Sequence, residues 1–203
     1  MKVLVIGGSG PTGQQLLAHL GEHDVSVLSR SGRDMPGVEV VKGDARSASD
    51  LDRAVQGQDA VLSALGSKKV GRDDLQASFL IGIAAGMAAH GVDRLITLSP
   101  WGTSASRATA PLLLRMGHAT ILRNQTADRE VGERVVDASA LSFTHVRAGV
   151  LTSGAERGGV VSSADGRGIR LPISRADVAA FMVSQLSDDT WRRSQVIIGY
   201  PKR

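Results

Sequence analysis

The sequence predicts a doubly wound α/β fold, a parallel sheet with helices on both faces, and three observations lead to it. Val3-Leu4-Val5-Ile6 is an apolar, mostly β-branched run that breaks at Gly7-Gly8-Ser9-Gly10 and reopens with helical spacing at Leu16, Leu17 and Leu20. Strand-like and helical patterns then alternate to the end of the chain, the order that buries a parallel sheet on both faces. The 203 residues, 42% of them hydrophobic, suffice for one core and one domain spanning 1–203.

The elements follow in order. The first strand covers 3–6, and its helix begins after the glycine turn. A second strand, 25–30, ends in Ser29-Arg30, and turn residues follow at Ser31-Gly32 and Met35-Pro36-Gly37. A short third strand, 38–41, closes on Gly43-Asp44, and the spacing of Leu51, Ala54 and Val55 predicts a helix over 47–55 with Ser47 as its N-cap. Strand four spans 59–66. The stretch 73–90 is a long helix, apolar nearly all round, that packs on a sheet and stops at Gly91. Strand five covers 93–100. Residues 101–117 show no regular period; helical spacing resumes at 118 and runs to 138. Strand six spans 141–146, 147–174 is largely irregular with a short strand at 160–161, a helix covers 174–187, and a last strand covers 195–199. The segments 101–117 and 150–174 are therefore expected to form a small substrate-side region.

The glycine turn carries chemistry. Gly7, Gly10 and Gly13 stand three apart between a buried strand and a helix. In that context the first glycine permits a sharp turn, the second lets backbone approach a pyrophosphate, and the third lets helix and strand pack closely. The helix start then offers free N–H groups and the positive end of a dipole to phosphate. This makes the fold a Rossmann-type sheet, whose ligands lie beyond the carboxyl ends of the strands.

The end of strand two selects the dinucleotide. A carboxylate there bonds a ribose 2′-hydroxyl, whereas a basic residue accepts a 2′-phosphate. Here Arg30 ends the strand and Arg33 follows, with no acidic residue at the strand end, so NADP(H) is expected. Asp44 is placed either to accept from an adenine amino group, with Ala45 beside it, or to cap the next helix. Ala64-Leu65-Gly66 lets backbone run close to the adenosine ribose.

Composition excludes several classes. There is no cysteine, hence no disulfide framework or thiolate chemistry. The net charge of +4 accompanies only 3% aromatic residues and dispersed arginines, which argues against a nucleic-acid surface. No apolar run reaches membrane-spanning length, and no His and carboxylate cluster has metal-ligand spacing, so no membrane and no metal are expected. The short apolar start leads directly into the glycine turn, which reads as a cytoplasmic protein. The sequence does not set the oligomeric state.

Together these residues resemble the atypical short-chain dehydrogenase/reductases with an NAD(P)H-binding domain, a group that includes flavin/biliverdin-IXβ-reductase-like proteins and NmrA-like regulators. The resemblance rests on Gly7-x-x-Gly10-x-x-Gly13, Arg30, Gly43-Asp44, Ala64-Leu65-Gly66, His90-Gly91-Val92-Asp93-Arg94, Ser99, Glu133-x-x-Val136-x-x-Ser139 and Ser174-Arg175-Ala176-Asp177-Val178-Ala179. It implies that Gly7, Gly10, Pro11, Thr12 and Gly13 hold the pyrophosphate, that Arg30 and Arg33 take the 2′-phosphate, and that Asp44 and Ala45 face adenine. Leu65 and Gly66 would meet the adenosine ribose, with Ser99 and Gly149 beside the nicotinamide. One departure matters. Where such enzymes carry Tyr-x-x-x-Lys, this chain has Gln125 and Arg129, and its single tyrosine is Tyr200. Arg129 would keep a ribose contact without relaying a proton.

For the reaction, Ser99 and His118 are the candidate catalytic residues; Ser99 reads equally as a substrate contact or a structural strand-end cap, and Trp101 as a wall of the nicotinamide pocket or a loop anchor. His118 otherwise reads as a surface histidine, and His145 as a satisfied sheet histidine. Two functions are compatible. One is an NADPH-dependent oxidoreductase passing hydride to a small conjugated acceptor, such as a flavin, quinone or carbonyl compound. The other is a non-catalytic NADP(H)-sensing regulator, with a protein partner docking near 101–117.

Overall fold

The computed structural model describes residues 1–66 and 75–202; the expected helix start at Asp73 lies outside them. Seven strands form a parallel array: β1 (Lys2–Ile6), β2 (Asp24–Ser29), β3 (Glu39–Lys42), β4 (Ala60–Ser63), β5 (Arg94–Pro100), β6 (Ser142–Ala148) and β11 (Ser194–Pro201). They lie in the order β3-β2-β1-β4-β5-β6-β11, and β8 (Val161–Ser163) adds antiparallel to β11. β9 (Ile169–Arg170) also pairs antiparallel with β11, and β7 (Leu151–Thr152) pairs with β10 (Ile173–Ser174) as a separate parallel ribbon. The strand order turns back between β1 and β4, so the crevice that accepts ligands in doubly wound sheets opens beside the glycine turn.

The first strand shows how sequence selects layers. Its side chains alternate, so Val3 and Val5 enter one core and Leu4 and Ile6 the other. On the first face α1 (Pro11–His19) and α6 (Arg175–Ser184) bring Leu16, Val178, Ala179 and Met182 against the sheet. On the second, α2 (Ala48–Val55), α3 (Leu75–His90) and α5 (Arg123–Ala138) contribute Leu51, Val55, Leu80, Ile83, Met87 and Val136. Ser47 caps α2 by accepting from the Asp50 amide, and Ser174 caps α6 by accepting from that of Asp177.

The helix expected over 118–138 begins later, and a separate helix, most of it in the segment expected to be irregular, precedes it. α4 (Leu112–Ala119) ends at Thr120, and α5 starts at Arg123. Its apolar residues hid α4 from a periodicity reading because they do not face a core: Leu112, Leu113 and Met116 are exposed. A short 3-10 turn at Ser104–Arg107 precedes it. The segments around 101–117 and 150–174 do meet, in a third apolar cluster of Trp101, Ala110, Ile169 and Ile197, with Leu171 packed against it.

Candidate functional site

A cavity of about 470 Å³ opens where the crevice was expected. Its walls include Gly10, Pro11 and Thr12 from the glycine turn, Leu65 and Gly66 after β4, Ser99 on β5, His118 on α4, Arg129 on α5 and Gly149 after β6. Nine residues singled out in the sequence thus converge from six parts of the chain. The size falls within the range of small-molecule sites.

The turn is built so that only glycine fits at two places. Gly7 has φ of +92°, and a Cβ there would stand 3.0 Å from the Ala64 backbone. A Cβ on Gly13 would lie 2.1 Å from the Gly7 carbonyl oxygen. At Gly10 the only close neighbour is the Gly7 oxygen, at 3.3 Å. Gly10 is also the N-cap of α1, with no side chain bonded to the cap, Pro11 at the helix start and no acidic residue in the first turn. The positive end of α1 therefore faces the cavity without a carboxylate or hydroxyl neutralising it, a donor set that suits a phosphate.

Arg30, Arg33, Asp44 and Ala45 lie off the cavity, at the carboxyl ends of β2 and β3; both arginines are exposed. The Asp44 carboxylate takes Nε of Arg46 at 2.9 and 3.1 Å, and this hydrogen-bonded guanidinium holds the carboxyl below its usual range. Ser29 and Ser31 pair at 3.2 Å beside Arg30.

Beneath the cavity floor Ser99 and Arg129 belong to a buried charge cluster whose other members, Glu133 and the Arg147 side chain, are not among the candidate site residues of the sequence. Glu133, fully buried, accepts from Ser99 Oγ at 2.6 Å, Ser104 Oγ at 2.6 Å and Arg147 Nη2 at 2.9 Å, and lies 3.4 Å from Arg129 Nε. Arg147 sits opposite Ser99 in the β5–β6 register and also bonds Thr103 and Gln195. Burial favours the neutral acid, but the guanidiniums of Arg147 and Arg129 override it and hold Glu133 far below the carboxylate range. The signal was present: Arg129 and Glu133 are four apart on one helix, on the face that Val136 buries.

This cluster decides how two candidates are occupied. Ser99 directs its proton to Glu133, and its oxygen accepts from Arg129 Nε and Nη2 at 3.2 and 2.9 Å. Of the two expected roles, these bonds favour the structural one, since donor and lone pairs are all engaged. Arg129 also donates to Gln76 Oε1 at 2.8 Å and to the carbonyls of Leu65 and Leu98. All three nitrogens of its guanidinium bond protein groups, so it ties β4 and β5 together rather than offering a free fork to a ribose. Asp128 accepts from the amides of Gln76 and Ala77 in the first described turn of α3.

His118 is buried, not a surface residue. Nδ1 lies 2.9 Å from Thr126 Oγ1, and the ring also hydrogen-bonds the Trp101 backbone. Burial lowers its pKa and favours the neutral ring. Trp101 does not line the cavity; it is packed in the third cluster, with Gly166 against its ring. His145 bonds Thr97 Oγ1 at 2.6 Å inside the sheet, while its Nε2 lies 3.2 Å from Asp137 without hydrogen-bond geometry. Missed lining residues include Gln76, Thr103, Thr126, Leu151 and Arg175. Gln125, at the tyrosine position, does line the cavity. Among the described residues no three His, Asp or Glu side chains are grouped to hold a metal, and no helix is long and apolar enough to cross a membrane.

Comparison with known proteins agrees with this geometry. A family model described as NAD(P)H-binding matches residues 7–189. Among solved structures, the oxidoreductase ylbE from Lactococcus lactis superposes with a TM-score of 0.84 at 17% identity, covering 100% of this chain and 92% of its own. A protein from Escherichia coli O157:H7 described as an anaerobilin reductase gives 0.79 at 18%, covering 100% and 98%. A wide-type short-chain dehydrogenase/reductase from Veillonella parvula, solved in complex with NADP, gives 0.79 at 19%, covering 98% and 94%. These likenesses support the fold, and the match over nearly the whole chain supports more: the protein belongs to the NAD(P)H-binding family.

Proposed function

We propose that this protein is an NADPH-dependent reductase of a small, planar, conjugated acceptor such as a flavin, quinone or related carbonyl compound. The observation that carries the reading is the cavity itself, which joins an uncapped helix start at Gly10 to a mostly apolar chamber under Ser99, Ala148 and Gly149. Pyrophosphate would lie on the α1 N-terminus, with Leu65 and Gly66 along the ribose and Gly149 beside the nicotinamide. Arg30 and Arg33 would clasp a 2′-phosphate at the open ends of β2 and β3, and Asp44 and Ala45 would flank adenine. When bound, NADPH supplies the hydride.

The chain's own residues position and enclose. Gln125 and Arg129 hold the Tyr-x-x-x-Lys positions; an amide does not titrate, and a guanidinium stays charged at neutral pH. Ser99 is held by Glu133 and Arg129 and would serve as a fixed wall. His118, neutral and bonded to Thr126, would close the chamber. An acceptor whose reduced form takes its proton from water fits this arrangement, because no acid at the usual position is then required. The test is NADPH oxidation followed at its absorbance maximum with flavin and quinone acceptors. Alongside it, Arg30→Ala should weaken NADPH about tenfold or more, from loss of a charge-assisted hydrogen bond, and leave NADH unchanged. An unchanged affinity ratio rejects NADP(H) selection by Arg30.

One observation favours a second reading, a non-catalytic NADP(H)-sensing regulator. α4 presents Leu112, Leu113 and Met116 to solvent at 69%, 80% and 57% exposure, with Ile121 beyond it at 71%, in and beside the segment expected to meet a partner. That reading requires dinucleotide binding with no turnover on any acceptor.

A further inference from the structure

We propose that Arg175 is the specificity-determining residue for the acceptor, and that the acceptor carries an anionic group beside its conjugated ring. This rests on the reductase reading above and narrows its substrate class. Three charged or titratable side chains line the described cavity: Arg129, His118 and Arg175. Arg129 is bonded to protein on every guanidinium nitrogen and faces Glu133, and His118 is kept neutral by burial. Arg175, the first residue of α6, differs. Among the described residues its side chain makes one hydrogen bond, Nη1 to Ser153 Oγ at 3.1 Å, and no carboxylate pairs with it. The neighbouring acid, Asp177, is turned away, bonded to Ser174 Oγ and to the amides of Arg157 and Gly158. No Asp or Glu lines the cavity at all among the described residues.

A half-buried guanidinium on an acid-free wall raises the local potential and leaves a planar fork that matches carboxylate, sulfonate or phosphate oxygens. Two sources of such oxygens meet here, the acceptor and the dinucleotide's own phosphates. The dinucleotide is already provided for, by the open start of α1 and by Arg30 and Arg33. Arg175 is tied instead to Ser153, just beyond the β7–β10 ribbon, in the 150–174 segment that the sequence leads us to expect on the substrate side, and this favours the acceptor.

The experiment uses FMN and riboflavin, one ring system with and without a phosphate. Their affinities for the NADP⁺-loaded protein are measured by flavin fluorescence, and their reduction by NADPH is measured separately. The expected result is FMN bound at least about tenfold more tightly than riboflavin, a preference abolished in Arg175→Ala and partly kept in Arg175→Lys, with NADPH affinity unchanged in both. Equal binding of the two flavins, binding of neither, or a preference that survives in Arg175→Ala overturns the proposal. A loss of NADPH affinity in Arg175→Ala also overturns it, and assigns the residue to the dinucleotide. FMN-selective binding without turnover leaves Arg175 as an anion clamp and removes the reductase reading alone.

Discussion

Replacing Glu133 by glutamine tests the cluster beneath the cavity. The substitution keeps the shape and removes one negative charge between two buried guanidiniums, Arg129 and Arg147, which are 6% and 2% exposed. Native Glu133 receives two serine hydroxyls at 2.6 Å and an arginine N–H at 2.9 Å. An amide can accept on one side only, so its NH₂ would face either Ser99 and Arg129 or Ser104 and Arg147, donor against donor. Breaking a buried pair by removing one partner costs about 3–5 kcal/mol. For a chain of this size that is a fall in Tm of about 6–20 °C. Urea unfolding analysed by linear extrapolation gives the free energy directly, with an unchanged slope expected. The pH dependence gives a second readout. Glu133 is depressed in the folded state, so its stabilisation is complete above the unfolded value near 4.5 and is lost as pH falls below that value. Glu133→Gln should therefore flatten the acid limb of the stability curve. A destabilisation below about 1 kcal/mol, or an unaltered acid limb, refutes the view that this carboxylate neutralises both arginines.

The glycine turn separates packing from binding. Gly13→Ala drives a Cβ into the Gly7 carbonyl at 2.1 Å and should cost about 3 kcal/mol or more, measured by thermal melting. Gly10→Ala meets only that oxygen at 3.3 Å, so its melting temperature should stay near native while dinucleotide affinity, read by calorimetry, falls. Asp128→Ala removes the acceptor for the Gln76 and Ala77 amides, at 2.6 and 3.1 Å, and should lose about 1 kcal/mol in urea unfolding.

The sheet was legible because burial leaves a mark in the sequence. Val3 to Ile6, Ala60 to Ser63 and Arg94 to Pro100 are central strands covered on both faces, and their apolar runs have no other use. The glycine spacing located the crevice for the same reason: a side chain at Gly7 or Gly13 collides with backbone, so the residue type reports the geometry. What escaped was whatever depends on long-range partners or on none. α4 packs few of its apolar side chains, so its pattern carried no facing direction. Trp101 looked equally suited to a pocket wall or an anchor, and only the fold shows Gly166 seated on its ring. The burial of His118 escapes the sequence because its partner, Thr126, lies across a break between α4 and α5 that the pattern over 118–138 does not show.

The same limit applies to the chemistry. In sequence, Gln125 and Arg129 stand where the resemblance places a proton relay, and the sequence does not say what they do there. The structure shows Arg129 as a tie: it gathers the Leu65 and Leu98 carbonyls, Gln76 and Ser99 at the carboxyl ends of β4 and β5. A lysine has three donors on one nitrogen and could not reach these four acceptors together, whereas the planar fork can. Arg129 thus acts as a rigid brace, and Glu133 and Arg147 extend that brace to β6. A floor fixed in this way keeps its shape and charge whether or not a proton must move. Among the described residues, Arg175 is then the cavity cation that this brace does not include, and its side chain bonds Ser153 instead.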